Sequence, residues 1–403
     1  MTAVNISQNG EELTRQLKSH LLPVTVFICV EACVGFFGNI AILVVYSKHY
    51  KQVNFKNFVL ALAFVDLVSC CTTLPGEVFS HQNWYDYKYT WVCKVKSYFN
   101  AYTALASASI LLILAIDRYR KVCNPCAWQI PFQVAFKLCV CCLVISAIVS
   151  TPLLLFWGTQ TYLYDIKGEN VTVSVCEKSE DYAETMYPLL FITGAFLVPI
   201  NIMIVVIMTL NFTIAWRLFG GSIRTEKHAV SEKKTSKRTI QMQELSTDIL
   251  STEFTNDLKG DPEKSATIST IKTPSEQKNR NSPRKRRRRR PEIGGSSKFR
   301  RKHKTMIMLI LTSIFAVTMA TYTVFICFVA KPNGIVKEMS DSTKPVFFFF
   351  WRLYFVNSVV NPILYGFMDP GFRSGFMYYM QRDAKRQAIC HKLVTKRYTL
   401  SFI

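Results

Sequence analysis

Ionisable residues stand inside or at the edge of long apolar stretches in this 403-residue chain: Glu31, Asp66, Glu77 and Arg352. A charge is costly in apolar surroundings unless something pairs with it, so such residues usually mark binding or switching. For any single buried Asn or Ser, the plainer alternative is a hydrogen bond between helices. Enzymatic chemistry finds no support. The loops contain no Ser/His/Asp or Cys/His set, no metal cluster and no phosphate-cradling glycine loop, and the six histidines are scattered. Cys123 and Cys126 are spaced as one ligand pair but lack the second pair that a zinc site requires. Most of the 13 cysteines lie in apolar stretches, where the thiol packs as a small apolar group.

The elements that must hold these residues are seven apolar blocks, roughly 21–46, 57–79, 95–117, 134–157, 187–212, 305–330 and 345–367. Each is long enough to cross about 30 Å of hydrocarbon as a helix. Helices are required because lipid offers backbone polar groups no partners. The reading is an all-α membrane protein, a bundle of seven transmembrane helices. Residues 1–20 form an N-terminal segment with charges and no apolar run, which argues against a cleaved signal peptide. The first block then acts as the targeting anchor.

Loop charge orients the chain. Residues 47–56 carry Lys48, Lys51 and Lys56 without an acid, and Arg118, Arg120 and Lys121 follow the third block. The loop at 158–186 instead sets six acids against Lys167 and Lys178. By the positive-inside rule the N-terminus is extracellular and the C-terminus cytoplasmic, in a multi-pass protein of the plasma membrane. The sequons at Asn5 and Asn170 fall on the outer side. Asn211-Phe212-Thr213 falls at the inner membrane edge, where it should stay unmodified. Cys93 and Cys176 are the cysteines of the outer loops or their edges, and a disulfide between them is expected in that oxidising compartment.

Within the blocks a series of short strings occurs in order. They are Gly38-Asn39, Leu62-Ala63-Phe64-Val65-Asp66, Trp91-Val92-Cys93-Lys94, Asp117-Arg118-Tyr119 with Pro125 beyond it, Ser146 and Pro152, Phe196 and Pro199, then Asn357-Ser358, Asn361-Pro362-Ile363-Leu364-Tyr365 and Phe372-Arg373. Together they resemble the rhodopsin-like (class A) G-protein-coupled receptors, across nearly all of the chain outside 217–304 and the tails. The resemblance implies a receptor that passes an extracellular signal to heterotrimeric G proteins, with arrestin and receptor kinases as further partners. Asp66, Ser107, Asn357, Ser358 and Asn361 should converge in mid-membrane, where a sodium ion could compensate the Asp; no other cofactor is implied. Arg118, held by Asp117, keeps the inner face closed, while Pro362 and Tyr365 shape the movement of the seventh helix. Cys126, after Pro125, replaces the bulky apolar residue that the family usually sends into the G protein. Glu31 and Arg352 lie toward the outer side of helices that are neighbours in this fold, so they are expected to pair, with Glu77 as the competing partner.

The chain departs from the family in places. The sixth block has Phe315 followed by Met319 and Thr321 where a Trp and a kinking Pro are usual. Thr can tilt a helix by bonding back to a carbonyl. Ile207 and Leu143 replace a usual Tyr and Trp. A diverging receptor and one with altered or constitutive activity are both compatible with these changes.

Asn100 stands where amine receptors carry an Asp, and Phe355 where light receptors carry a Lys, which argues against amine and retinal ligands. The 158–186 loop alternates like a strand at Thr172–Cys176 and resembles the hairpin over the pocket of peptide receptors. Its acids Glu177, Glu180, Asp181 and Glu184 could attract a basic peptide. The expected subfamily is therefore the neuropeptide receptors, with a pocket of Asn100, Phe191, Tyr322, Thr323, Ile326, Phe347 and Trp351.

Residues 217–304 carry 24 Lys/Arg against 10 Asp/Glu, net +14, most of the chain's +22. Their composition is that of a disordered third intracellular loop. The basic run 284–290 suits anionic inner-leaflet lipid better than nucleic acid in a seven-span protein. Residues 368–403 would supply a short amphipathic eighth helix, with Phe372, Phe376, Met377 and Met380 on its apolar side, and a tail with Cys390 as a palmitoylation site. The rival readings are a receptor-like protein for a non-peptide ligand, a constitutively active or non-coupling scaffold, and a transporter. A transporter predicts internal repeats or matching broken helices, and neither is found.

Overall fold

A computed structural model describes residues 2–50, 53–166, 169–219, 294–329, 339–340 and 343–382, with the side chains of 2–10, 49, 164–166, 169–170, 294–304 and 327–329 excluded. It divides into two units, residues 1–215 with 300–403, and residues 216–299. The expectations for the basic insert, the tail, Cys390 and the side chains of Asn5 and Asn170 lie outside the described residues.

Among the described residues, seven helices are long and apolar enough to span a membrane: Glu11–Lys48, Asn54–Gln82, Thr90–Cys123, Phe132–Phe156, Tyr187–Phe219, Thr305–Ile326 and Lys344–Met368. All seven coincide with the apolar blocks. The first helix starts earlier than its block, at Thr2, and runs unbroken to His49. Span 1 packs on spans 2 and 7, and span 2 on spans 3 and 4. Large apolar side chains face outward, among them Phe37, Ile148, Leu190, Val205 and Val317, while Asn39, Asp66, Ser146 and Asn361 are buried. Polar groups bonding inside and apolar groups outside is the arrangement that lipid favours.

Prolines account for the irregular turns. A proline has no N–H, so the carbonyl four residues earlier loses its helical partner. Pro199 frees the Ala195 carbonyl, and Thr193–Leu197 is a π-helical segment. Pro75 stands just past the break at Thr72 in span 2. Pro362 frees the Ser358 carbonyl, which accepts a hydrogen bond from Asn39 Nδ2 at 2.8 Å. Gly38 makes that approach feasible, since a Cβ there would lie 2.5 Å from Pro362 Cβ.

The loop at 158–186 is a hairpin, with β1 (Trp157–Ile166) antiparallel to β2 (Glu169–Lys178). The strand expected at Thr172–Cys176 lies within β2. A disulfide joins Cys93 to Cys176, anchoring β2 to span 3. Residues 85–87 add to β2, with Ser174 donating to the Tyr85 carbonyl and Tyr87 to that of Ser174 at 2.9 and 3.0 Å. The first helix reaches the same layer. Thr14 Oγ1 accepts from the Tyr85 N–H at 3.3 Å, and Lys88 pairs with Glu11 at 3.2 Å. At the opposite end a helix over residues 370–382 follows span 7, with Phe372 buried and Met377 and Met380 exposed, as an amphipathic helix on a membrane surface would be.

Candidate functional site

Three polar sites lie along the bundle axis. At the end away from the hairpin, Asp117 is buried and gathers donors from three directions. Arg118 Nη2 lies 3.1 Å away, Lys121 Nζ 2.8 Å, and Asn54 Nδ2 donates at 3.1 Å. Asn54 also donates to the Ile130 carbonyl at 2.5 Å, tying the segment after span 3 to span 2. The Arg118 guanidinium lies over the Phe55 ring at 5.6 Å. The expected Asp117–Arg118 hold is therefore formed, with Asn54 and Phe55 as further members that the sequence reading missed. Pro125 and Cys126 are exposed at this end, and Tyr119 is half-buried.

Beside this network Tyr365 is fully buried, its ring 5.6 Å from Tyr46 and 6.2 Å from Phe55. Tyr46 and Tyr50 both donate to Asp369 Oδ2, at 2.8 and 2.5 Å. Asp369 follows span 7 directly, so this contact fixes the end of the helix that carries Asn361, Pro362 and Tyr365.

In mid-bundle Asp66, Ser107, Asn357 and Asn361 line one small cavity with Phe315 and four aliphatic residues. Asn361 Nδ2 donates to Asp66 Oδ2 at 2.5 Å, while its Oδ1 is buried without a partner. Ser358, also buried, lies beside the Asp66 carboxylate. Asn357 Nδ2 donates to Thr318 Oγ1 at 2.9 Å, linking spans 6 and 7. All five expected residues meet here. The donors are hard oxygens (a carboxylate, an unpartnered amide oxygen and hydroxyls), and that set fits a sodium ion.

Span 6 passes this cavity in an unbroken helix from Gly294 to Val329. Met319 is buried in the core, and Thr321 Oγ1 donates back to the Val317 carbonyl at 2.9 Å. Back-bonding thus occurs where the family usually has a proline. Ile207 is fully buried, and the nearby Asn211 donates to Thr312 at 2.6 Å, joining spans 5 and 6.

Toward the hairpin the expected pocket residues are spread over several separate contacts. Tyr354 donates to Asn100 Oδ1 at 2.6 Å and packs on Tyr322 with ring centroids 4.5 Å apart. Phe347 and Trp351 contact each other at 5.8 Å. Thr323 hydrogen-bonds Asn201 at 3.4 Å, and Ile326 is half-buried one turn beyond Tyr322. Phe191 packs on Phe156 and Phe196, at the side formed by spans 4 and 5.

The expected Glu31–Arg352 pair does not form. Arg352 Nη2 lies 2.7 Å from Glu77 Oε2, and Lys96 Nζ approaches Glu77 Oε1 at 3.5 Å. Both Glu31 oxygens are buried without a hydrogen-bond partner. Spans 1 and 2 each present a carboxylate near span 7, and the direction of the Arg352 side chain decides between them. Arg352 is stacked on Trp351 at 4.0 Å, which directs its guanidinium toward span 2. Lys96 was missed, although a Lys inside an apolar block was signal enough. It also donates to Ser80 Oγ at 2.8 Å, and Ser80 lies 3.3 Å from the Tyr87 hydroxyl. Burial pushes the Tyr87 phenol up to about 12, so it stays protonated.

Residues 38–365 match the family described as 7 transmembrane receptor (rhodopsin family). Similar curated proteins include neuropeptide Y receptor type 4-2 of Homo sapiens, 26% identical over 127 residues, 31% of this chain and 34% of that receptor. Neuropeptide Y receptor type 6 of Mus musculus is 29% identical over 128 residues, 30% of this chain and 33% of that receptor. The allatostatin-A receptor of Bombyx mori is 25% identical over 234 residues, 57% of this chain and 63% of that receptor. The chain thus matches about a third of the length of the two neuropeptide Y receptors and somewhat under two thirds of the allatostatin-A receptor. A match across most of the chain, joined to seven spans that carry the Asp117-Arg118-Tyr119 and Asn361-Pro362 elements in place, assigns it: the chain belongs to the rhodopsin family of seven-transmembrane receptors.

Proposed function

We propose that this protein is a plasma-membrane receptor that senses an extracellular peptide at the hairpin end and couples to heterotrimeric G proteins at the Arg118 end. The observation that carries this reading is the buried Asp117–Arg118 pair, 3.1 Å apart, next to the exposed Pro125 and Cys126. An arginine held by an adjacent carboxylate and by Asn54-linked packing closes that end. Its release would expose a cationic, hydrogen-bonding surface suited to a protein partner. Basic loops at this end support a cytoplasmic position for it and an extracellular N-terminus. The peptide class rests on relatives named as neuropeptide Y and allatostatin-A receptors, and on a hairpin cap whose Glu177, Glu180, Asp181 and Glu184 are exposed.

A sodium ion at Asp66 would stabilise the closed form, with Asn361 Oδ1 and the Ser107 hydroxyl as its further oxygens. Arrestin and receptor kinases would share the Arg118 end, and anionic lipid would meet the basic loop. The test is second-messenger output, both cAMP and calcium, in cells expressing the chain or Arg118→Ala, with and without a pooled peptide library. A peptide response lost in Arg118→Ala supports the reading. Ligand-independent output lost in Arg118→Ala would instead favour constitutive coupling through the unbroken sixth helix. Silence in both, at normal surface expression, would favour a non-peptide ligand or a non-coupling scaffold.

A further inference from the structure

The hairpin end of the bundle holds two cations and one carboxylate away from water. Side-chain exposure is 3% for Glu77, 4% for Arg352 and 11% for Lys96. Each Glu77 oxygen lies within ion-pair distance of one cation, Oε2 without a hydrogen bond of its own. Among the described residues no other carboxylate pairs with Lys96 or Arg352. The side chains around them are neutral: Ser80, Tyr87, Trp351 and Phe348. His81 bonds Thr25 through Nδ1 at 3.0 Å and adds no negative charge. The cluster therefore keeps one more positive charge than it neutralises, in a place where an unmatched charge is strongly disfavoured.

Donors are also left over. Arg352 Nε and Trp351 Nε1 are buried without hydrogen-bond partners. The Lys96 ammonium has three hydrogens, of which one goes to Ser80 and one faces Glu77, leaving one spare. These spare donors adjoin the expected pocket. Trp351 is itself one of the expected pocket residues and contacts Phe347, and Tyr354 packs on Tyr322 and holds Asn100.

We propose that Lys96 and Arg352 form an anion-recognition site that takes a carboxylate group of the ligand beside Trp351, with Glu77 holding the two cations in place. This deepens the receptor reading and rests on it for the identity of the ligand as a signal. A guanidinium suits a carboxylate because its N–H groups form a planar fork, and Glu77 occupies only one of its terminal nitrogens. The resulting recognition has two levels: an acidic surface on the hairpin that attracts cationic groups, and a cationic depth that requires an anionic one. A peptide ligand would therefore carry an acidic side chain or a free C-terminal carboxylate into the pocket.

The direct probe is 3-phenylpropionate, with 3-phenylpropionamide as the uncharged control, titrated against the purified full-length protein in nanodiscs while thermal unfolding is followed. The carboxylate is expected to raise the unfolding midpoint and the amide to leave it in place. Lys96→Gln, which leaves a balanced Glu77–Arg352 pair, should remove the rise, and Lys96→Arg should keep it. Equal effects of the two probes, or an unchanged rise in Lys96→Gln, overturn the proposal. If Lys96→Gln fails to reach the membrane, the carboxylate–amide contrast in the unmodified protein decides alone.

A second arm compares peptide pools matched except for Glu against Gln in the signalling assay. The Glu pool should be about tenfold more potent, and Lys96→Gln should abolish the difference. A probe shift with no signal from either pool leaves the anion site standing and removes the peptide-receptor reading. Equal signals from both pools without a probe shift do the reverse. Absence of both effects removes both.

Discussion

The two ends of the bundle hold the same ion arithmetic in different solvents. Near Arg118 one carboxylate, Asp117, serves two cations, Arg118 and Lys121; near the hairpin Glu77 serves Lys96 and Arg352. Lys121 is 32% exposed, so water takes up the surplus charge and Asp117 keeps Lys121 and Asn54 as partners when Arg118 leaves. Lys96 is 11% exposed and Arg352 4%, so no comparable solvation is open to the surplus near the hairpin. An ion pair with a solvated third member is suited to switching, whereas a buried one is suited to waiting for a counter-ion.

The largest effect should come from removing the carboxylate at the buried end. Glu77→Leu leaves two uncompensated cations, a loss of about 3–5 kcal/mol. Surface expression measured by antibody on intact cells should drop severely, and expression near that of the unmodified chain would mean that the surplus is already neutralised. At the solvated end the expected loss is functional. Arg118→Ala should reach the surface normally yet give no coupling, and a fully active variant would deny Arg118 its role.

A smaller effect is expected where neither end is touched. Asn39→Ala removes the donor to the Ser358 carbonyl that Pro362 leaves open. The expected loss is about 0.6–1.7 kcal/mol, seen as a modestly lower unfolding midpoint in detergent with signalling retained. Smallest of all is Glu31→Gln. Glu31 has no partner to lose, so surface expression should stay close to the original. A loss as large as that of Glu77→Leu would return Arg352 to Glu31.

Much of this could be read from sequence because lipid imposes strong constraints. The seven blocks had to be helices, and Cys93 and Cys176 were the cysteines available on the hairpin side. The mid-bundle cavity followed once the Asp66, Asn357 and Asn361 strings were placed in their spans. The charge cluster was less legible. Glu31 and Glu77 lie on neighbouring helices, and which of them meets Arg352 depends on side-chain placement that spacing along the chain does not give. Asn54 and Tyr46 escaped notice because a polar residue at a helix end is usually solvated; what gives them a role is the segment folded against each, Ile130 for Asn54 and Asp369 for Tyr46.

The most direct measurement is nucleotide exchange on a panel of purified heterotrimeric G proteins by the purified full-length receptor, with the peptide library present, beside the Arg118→Ala variant. Accelerated exchange on at least one G protein, lost in Arg118→Ala, is the expected result. No acceleration on any of them, or equal acceleration by the variant, would contradict a receptor that couples through the Asp117–Arg118 pair.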